Sequence, residues 1–431
     1  MKKRKEKSDI SFLGKVFYSF KVAGEKIKAL RLLGRISDRQ KRLAGYAGNA
    51  PTADSRVAYV LGVTKIVFIT LFIVATVVTL LFAGRIMSYD NVYYMFKDIG
   101  YISSYGEARP EALNYSKPIN NQYFTSFKNG LAVASDGELK FFTATGRVTL
   151  TEGLKFTDPK IACSSSKALV YDSGRTLFSI YNSFISLYSE TLEYPVSYAS
   201  ISDSGNFVVV TKSKKYSSVI RMYDDDFTLT REYFKNDYVI SAELSENGKY
   251  LAITSLDASS GEGIVNLNVL SMNNGEILSS VSVLGDVPYR GLFTSDNEIV
   301  LICKEKTLIY DLNGKLKGEC VYPSGVSDYF VSDKLIAFAF SGDSLDKSNT
   351  VALYNNNGKS TFMRSVDGKI LDIALDGDYM YVLLDREILR IDIRSGIISS
   401  ISSYEGASKI LILADNVVVC TEAAAYYLTF E

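Results

Sequence analysis

The sequence predicts an all-β fold, an eight-bladed β-propeller with seven blades as the alternative, carried behind a single N-terminal transmembrane helix. Three observations point there. Eight times a turn signal rich in Asp, Asn, Ser, Lys and Gly is followed by a compact apolar run of about five or six residues. Successive signals lie 37 to 49 residues apart, which suits one four-stranded blade of roughly 40 to 50 residues. Ahead of them all, residues 66–83 (IVFITLFIVATVVTLLFA) form eighteen consecutive uncharged positions.

From the N-terminus, residues 1–43 read as a basic cytosolic tail and 44–65 as a linker. Residues 1–65 hold sixteen Lys/Arg against five Asp/Glu, so a tail of +11 precedes a remainder of −11. Phe12, Val16, Phe20, Ala23, Ile27, Leu30 and Leu33 recur at steps of three or four among lysines and arginines. That pattern fits a basic amphipathic helix on anionic lipid, each basic residue adding about 1 kcal/mol. Gly14, Gly24 and Gly34 each cost about 1 kcal/mol of helix propensity, so a disordered, solvated tail stays open as the alternative. A tail next to the membrane already faces anionic lipid, and nucleic acid is not expected as a partner.

Residues 66–84 are the expected transmembrane helix. Eighteen helical residues cover about 27 Å, close to the ~30 Å of bilayer hydrocarbon. Only Thr70, Thr76 and Thr79 interrupt the apolar run, and a threonine hydroxyl can bond back to its own helix. A soluble core helix would show a polar stripe, and a cleavable signal would start earlier and be shorter. Basic residues stay in the cytosol, so residues 85–109 become an extracytoplasmic stalk and 110–431 an exported propeller.

The turn signals fall at Asn129-Gly130, Ser166-Lys167, Ser204-Gly205, Asn247-Gly248, Asp296-Asn297, Asp333-Lys334, Asp376-Gly377 and Asp415-Asn416. The runs after them (LAVAS, ALVYD, FVVVT, YLAIT, EIVLIC, LIAFAF, YMYVLL, VVVCT) are nearly all apolar, as expected of a second strand covered on both faces. The third strand often alternates, as in Val265-Asn266-Leu267-Asn268-Val269, and is expected nearer the periphery. The third hairpin usually carries a glycine, at Gly146, Gly275, Gly314, Gly358 and Gly396, where a tight turn asks for positive φ. Short β-branched and aromatic runs argue against helices, and eight units of similar length argue against two β-sandwiches. The last unit ends one strand short, and residues 112–116 (ALNYS), between Pro110 and Pro118, are the expected donor that closes the ring.

Residues 245–252 (SENGKYLA) and 202–207 (SDSGNF) resemble the Ser-x-Asp-Gly-x-aromatic/aliphatic hairpin of WD40-like and TolB-like propellers. The turns at residues 311–315 (DLNGK) and 392–396 (DIRSG) are similar to those of quinoprotein-like propellers. The whole layout resembles an uncharacterised family of bacterial single-pass membrane proteins with an extracytoplasmic propeller. That resemblance implies an envelope scaffold and carries over no catalytic residues, and without tryptophan there is no WD dipeptide or tryptophan-docking motif.

Composition narrows the chemistry. The chain has no histidine, which excludes Ser-His-Asp and Cys-His catalysis and removes the commonest transition-metal ligand. Cys163, Cys303, Cys320 and Cys420 lie in apolar runs without CxxC or zinc-ligand spacing, so buried free thiols are expected over two disulfides. Cys303 and Cys320, on the second and fourth strands of one blade, should stand about 9.5 Å apart, too far to bond. Asp224-Asp225-Asp226 could hold a cation at a hairpin tip, but a solvated turn is the simpler reading. The connections at residues 257–263 and 341–350 are longer than their counterparts and are candidate contact loops. No catalytic, cofactor-binding or metal-ligating residue is assigned, and no cofactor is expected. The function expected is a non-enzymatic interaction scaffold in the cell envelope. A ligand- or glycan-binding sensor is the alternative, and a carboxylate-based glycosidase comes last.

Overall fold

The computed structural model describes residues 65, 67–73, 111–115, 123–135, 137–259, 261–294, 298–342, 349–413 and 416–430. Two compact units divide the chain, residues 1–88 and 89–431. In the first, residues 67–73 are helical with exposed side chains. Among the described residues no helix is long and apolar enough to cross a membrane. The tail, the linker up to residue 64, residues 74–84 and the stalk at 85–109 lie outside the described residues, as do Pro110, Pro118 and Asp296-Asn297.

The second unit is built of eight four-stranded antiparallel sheets. Seven are consecutive meanders, whose first strands are Tyr123–Phe127, Pro159–Cys163, Tyr198–Ile201, Tyr238–Leu244, Pro288–Phe293, Val326–Val331 and Ile370–Asp376. We number these blades 1 to 7. Blade 8 contains Lys409–Leu413, Asn416–Cys420 and Ala424–Tyr427, and its fourth strand is Ala112–Asn114, from the opposite end of the chain. Ala112 pairs with Tyr426, Leu113 with Ala425 and Asn114 with Ala424. The expected closure is therefore present, over three of the five residues assigned to it.

Eight hydrophobic clusters hold the ring, one between each pair of neighbouring blades. The one that closes the circle joins Leu113, Val418, Cys420 and Ala425 of blade 8 to Phe124, Leu131 and Val133 of blade 1. Leu113 is 1% exposed, and burying such a side chain contributes about 1.5–3 kcal/mol. The Tyr115 hydroxyl donates to the Thr421 carbonyl at 2.6 Å just beyond the pairing. First strands lie beside first strands: Tyr123–Phe127 neighbours both Pro159–Cys163 and Lys409–Leu413.

Second strands such as Gly130–Ala134, Phe207–Thr211 and Ile299–Cys303 are buried throughout, as their composition predicts. Alternating exposure belongs to the fourth strand, as in Ile398–Ser402, and not to the third. The third strand Ile264–Ser271 is mostly buried, and Asn268 lies within it at 8% exposure. Its asparagines are polar because they serve a side-chain network described below.

All four cysteines are free thiols. Cys303 and Cys320 occupy the second and fourth strands of blade 5, with Thr307 of the third strand paired to Cys320 between them. Burial pushes both thiols up to about 12, so each behaves as a small apolar side chain.

Candidate functional site on the inner strands and the blade 3 to 5 rim

The first strands of blades 4 to 7 each contain a register shift near their start, which leaves Ser241, Arg290, Asp328 and Asp372 at equivalent positions. A bulge bends a strand and re-aims the side chain that follows it. Three of the four accept a backbone N–H of the next blade. Ser241 Oγ accepts the Gly291 N–H at 3.0 Å, Asp328 Oδ2 the Ile373 N–H at 3.1 Å, and Asp372 Oδ2 the Ile410 N–H at 2.6 Å. Neighbouring first strands share no backbone ladder, so these bonds stitch one blade to the next.

Charged and phenolic groups extend this into a belt that touches every blade. Glu243 of blade 4 accepts from the Tyr198 hydroxyl of blade 3 and from Arg290 of blade 5, whose Nε lies 2.7 Å away. Burial, then the Glu243 charge, raises the Tyr198 phenol well above its ordinary value. Burial works against the Arg290 charge, but Glu243 outweighs it and holds the guanidinium cationic. Tyr329 of blade 6 meets Arg290 from the other side. Lys409 Nζ donates to Asp372 Oδ1 at 2.6 Å, and Lys160 of blade 2 lies 5.5 Å over the Tyr123 ring of blade 1. Lys160, Arg290 and Lys409 bring positive charge to the belt, Lys160 pairing also with Asp158 at 3.0 Å, and Glu243, Asp328 and Asp372 bring its carboxyl groups. Burial, together with the neighbouring Asp328, pushes the Asp372 carboxyl up to about 7 against the pull of Lys409. Asp328 Oδ2 sits on the N–H of Ile373, the residue directly after Asp372, so the two carboxyl groups are near neighbours across the blade 6–7 seam.

Most of the belt lies near the starts of the first strands, with Glu243 two residues beyond Ser241 on its own strand; those starts are at the end of the blades that also carries the connections between blades and the second-to-third-strand loops. On that end the outer parts of blades 3 to 5 are apolar. Phe234 (48% exposed), Tyr238 (62%), Leu284 (66%), Val287 (45%), Tyr289 (41%) and Val321 (68%) all sit where a fourth strand ends or the next first strand begins. Of the four strongly exposed large aromatics among the described propeller residues, three are here. Large amphipathic aromatics are the side chains enriched at protein interfaces.

Between blades 3 and 4 a polar array crosses the same end. Lys235 Nζ donates to Asn268 Oδ1 at 2.6 Å and Ser255 Oγ at 2.8 Å, and lies 3.3 Å from Asp237 Oδ2. Asn266 Nδ2 donates to Asp237 at 3.2 Å, Ser282 Oγ to Asn266 at 2.7 Å, and Asn268 Nδ2 to Ser280 at 2.8 Å. Ser280 and Ser282 are open to solvent.

The acidic triplet is a turn. Asp224 Oδ1 accepts the N–H groups of Asp226 at 3.1 Å and Thr228 at 2.8 Å, just as Asp311 Oδ1 accepts those of Asn313 and Lys315, both at 2.9 Å. Phe227, at φ 64°, takes the place of Gly314, at φ 78°. The nearby cation is Lys167, which donates to the Asp225 carbonyl at 3.1 Å and lies 4.7 Å over the Phe227 ring. Of the two longer loops, residues 257–263 extend the hairpin of blade 4 on the rim end, with Asp257 accepting the Ser259 N–H at 2.8 Å. Residues 343–348 of the other lie outside the described residues. The belt residues escaped the sequence reading because each blade contributes only one or two of them, and their partners lie some forty positions away on the next blade. The available signal was a charged or hydroxyl residue just inside the start of an otherwise apolar first strand.

A family profile described as a family of unknown function, DUF5711, matches residues 109–425. The chain belongs to the DUF5711 family. The matched stretch starts at the closing strand and ends in the third strand of blade 8, so it takes in the whole ring of this DUF5711 member. No curated protein matches it in sequence. Among solved structures it is similar to BamB from Moraxella catarrhalis, with 12% identity, a TM-score of 0.53, and coverage of 75% of this chain and 97% of that one. At that identity the likeness is one of fold.

Proposed function

We propose that this propeller is anchored to the membrane by residues 66–84, faces the extracytoplasmic side, and serves as a non-enzymatic scaffold that holds other proteins of the cell envelope. The anchor and its direction rest on the eighteen-residue apolar run and the +11 tail. The observation that carries the scaffold reading is the blade 3 to 5 rim, where six large apolar side chains stay exposed over three consecutive blades beside a protruding loop. A rigid ring presenting such a rim offers buried contact area without paying to order a loop.

Photo-crosslinking in intact cells tests it. A crosslinker at Tyr289 or Val321 is expected to give discrete protein adducts that disappear when Leu284→Asp is added, while a crosslinker at Val148, on the opposite end of blade 1, gives none. Equal adducts at both ends, or none at the rim, would contradict the reading. A glycan-binding sensor is the second reading, favoured by the Lys235, Asp237, Asn266 and Asn268 array with its exposed serines.

A further inference from the structure

The inner ring carries more charge than its stitching needs. Ser241 ties blade 4 to blade 5 with a neutral hydroxyl, accepting the Gly291 N–H at 3.0 Å. At the equivalent positions of blades 6 and 7 the same task falls to two aspartates, Asp328 and Asp372. Asp328 accepts from the residue directly after Asp372, which makes the two carboxyl groups near neighbours. Two ionised carboxylates so placed repel one another, and a proton held by one of them removes that repulsion.

We propose that Asp328, Asp372 and Lys409 form a one-proton switch that sets how firmly blades 6, 7 and 8 are held together at the inner ring. With the proton in place, that repulsion is absent. Asp328 keeps the Ile373 N–H, and Asp372 keeps both Lys409 Nζ and the Ile410 N–H. Without it, two negative charges lie side by side at the blade 6–7 seam with one ammonium, bonded to Asp372, to offset them, and the seam is pushed apart.

The surroundings leave this pair as the titrating element near neutrality. Cys420, on the second strand of blade 8, and Tyr329, beside Asp328, are both shifted up by burial and stay protonated. Arg290 and Glu243, beyond Tyr329, are locked to each other. Lys409 stays charged: burial disfavours the ammonium, but Asp372, Asp328 and the Tyr123 phenol of blade 1 together raise it. Unfolded, Asp372 would titrate near ~3.9. Folded, Asp372 holds its proton up to about 7. The folded state therefore binds more protons between those values. The site's stabilisation is full below pH ~4, declines as the pH rises, and is lost above pH ~7.

Hydrogen exchange on the full chain, followed by mass spectrometry from pH 5 to pH 8 and corrected for intrinsic exchange, tests this. Protection of the peptides holding Ile373 and Ile410 is expected to fall about tenfold across that range, while the peptide holding Gly291 stays level as the internal control. Asp328→Asn and Asp328→Ser both keep an acceptor for the Ile373 N–H and remove the like charge, so each should flatten the profile. Parallel profiles at Ile373, Ile410 and Gly291 in the wild-type chain would overturn the proposal, whether or not a variant folds. A slope that persists in both variants would overturn it too.

Discussion

Gly130 is required by space. A β-carbon there would lie 1.9 Å from the Phe142 carbonyl oxygen of the neighbouring third strand. The tight turn before it is centred on Lys128 (φ 49°) and Asn129 (φ 62°), one residue earlier than the Asn129-Gly130 signal implies. Gly130→Ala should therefore cost about 1–3 kcal/mol through overpacking. Lys128→Gly, which relieves a left-handed position but loosens the unfolded chain, should change stability by less than about 1 kcal/mol. Urea titrations of the two variants check the contrast, and equal losses would place the turn elsewhere. Asp224 is the second case at this scale. Its carboxylate supports a turn whose positive-φ position is filled by Phe227, so Asp224→Ala should cost about 1 kcal/mol, read as a lower melting temperature that added calcium does not restore. The sequence showed three acidic residues and no glycine, and the stacking of Phe227 on Tyr188 (centroids 5.1 Å apart) that makes the missing glycine tolerable is a contact between blades.

Among the elements, the closing strand bears most on the fold. Ala112–Asn114 is three residues long, yet Leu113 enters the cluster that joins the last blade to the first. Leu113→Ala should cost about 2–5 kcal/mol, and deleting residues 110–118 should cost more, by opening two sheet edges. Removing residues 1–60 should leave the melting temperature of the propeller unchanged. Comparable melting of the 110–118 deletion and the intact chain would contradict closure by this strand. In the sulfur chemistry, non-reducing mass spectrometry should find no Cys303–Cys320 crosslink, since Thr307 of the third strand lies between them. The strands were legible because each second strand is a continuous apolar run between turn residues, a pattern local enough to read one unit at a time. The inner-strand bulges were not, because a bulge is defined by its partner strand, and the inter-blade bonds of Asp328 and Asp372 span 45 and 38 residues.

At the scale of the molecule, eight blades follow from eight repeats, and each interface between them has an apolar core, with polar contacts added at the inner belt, at the blade 3–4 array and between blades 2 and 3, where Arg221 lies 3.3 Å from Glu190. The number of blades could be counted in the sequence; which apolar residues stay exposed could not, since Phe234, Leu284 and Val321 look like core residues until the fourth strand is known to be outermost. The proposed role depends above all on where the ring resides. Single cysteines placed at Lys214, an exposed loop position, and at Ser37 in the tail, in a Cys163→Ala background, can be tested with a membrane-impermeant maleimide on intact cells. Labelling at 214 before lysis and at 37 only after lysis is the predicted result; protection at 214 until the cells are broken would place the propeller inside and contradict the scaffold at its root.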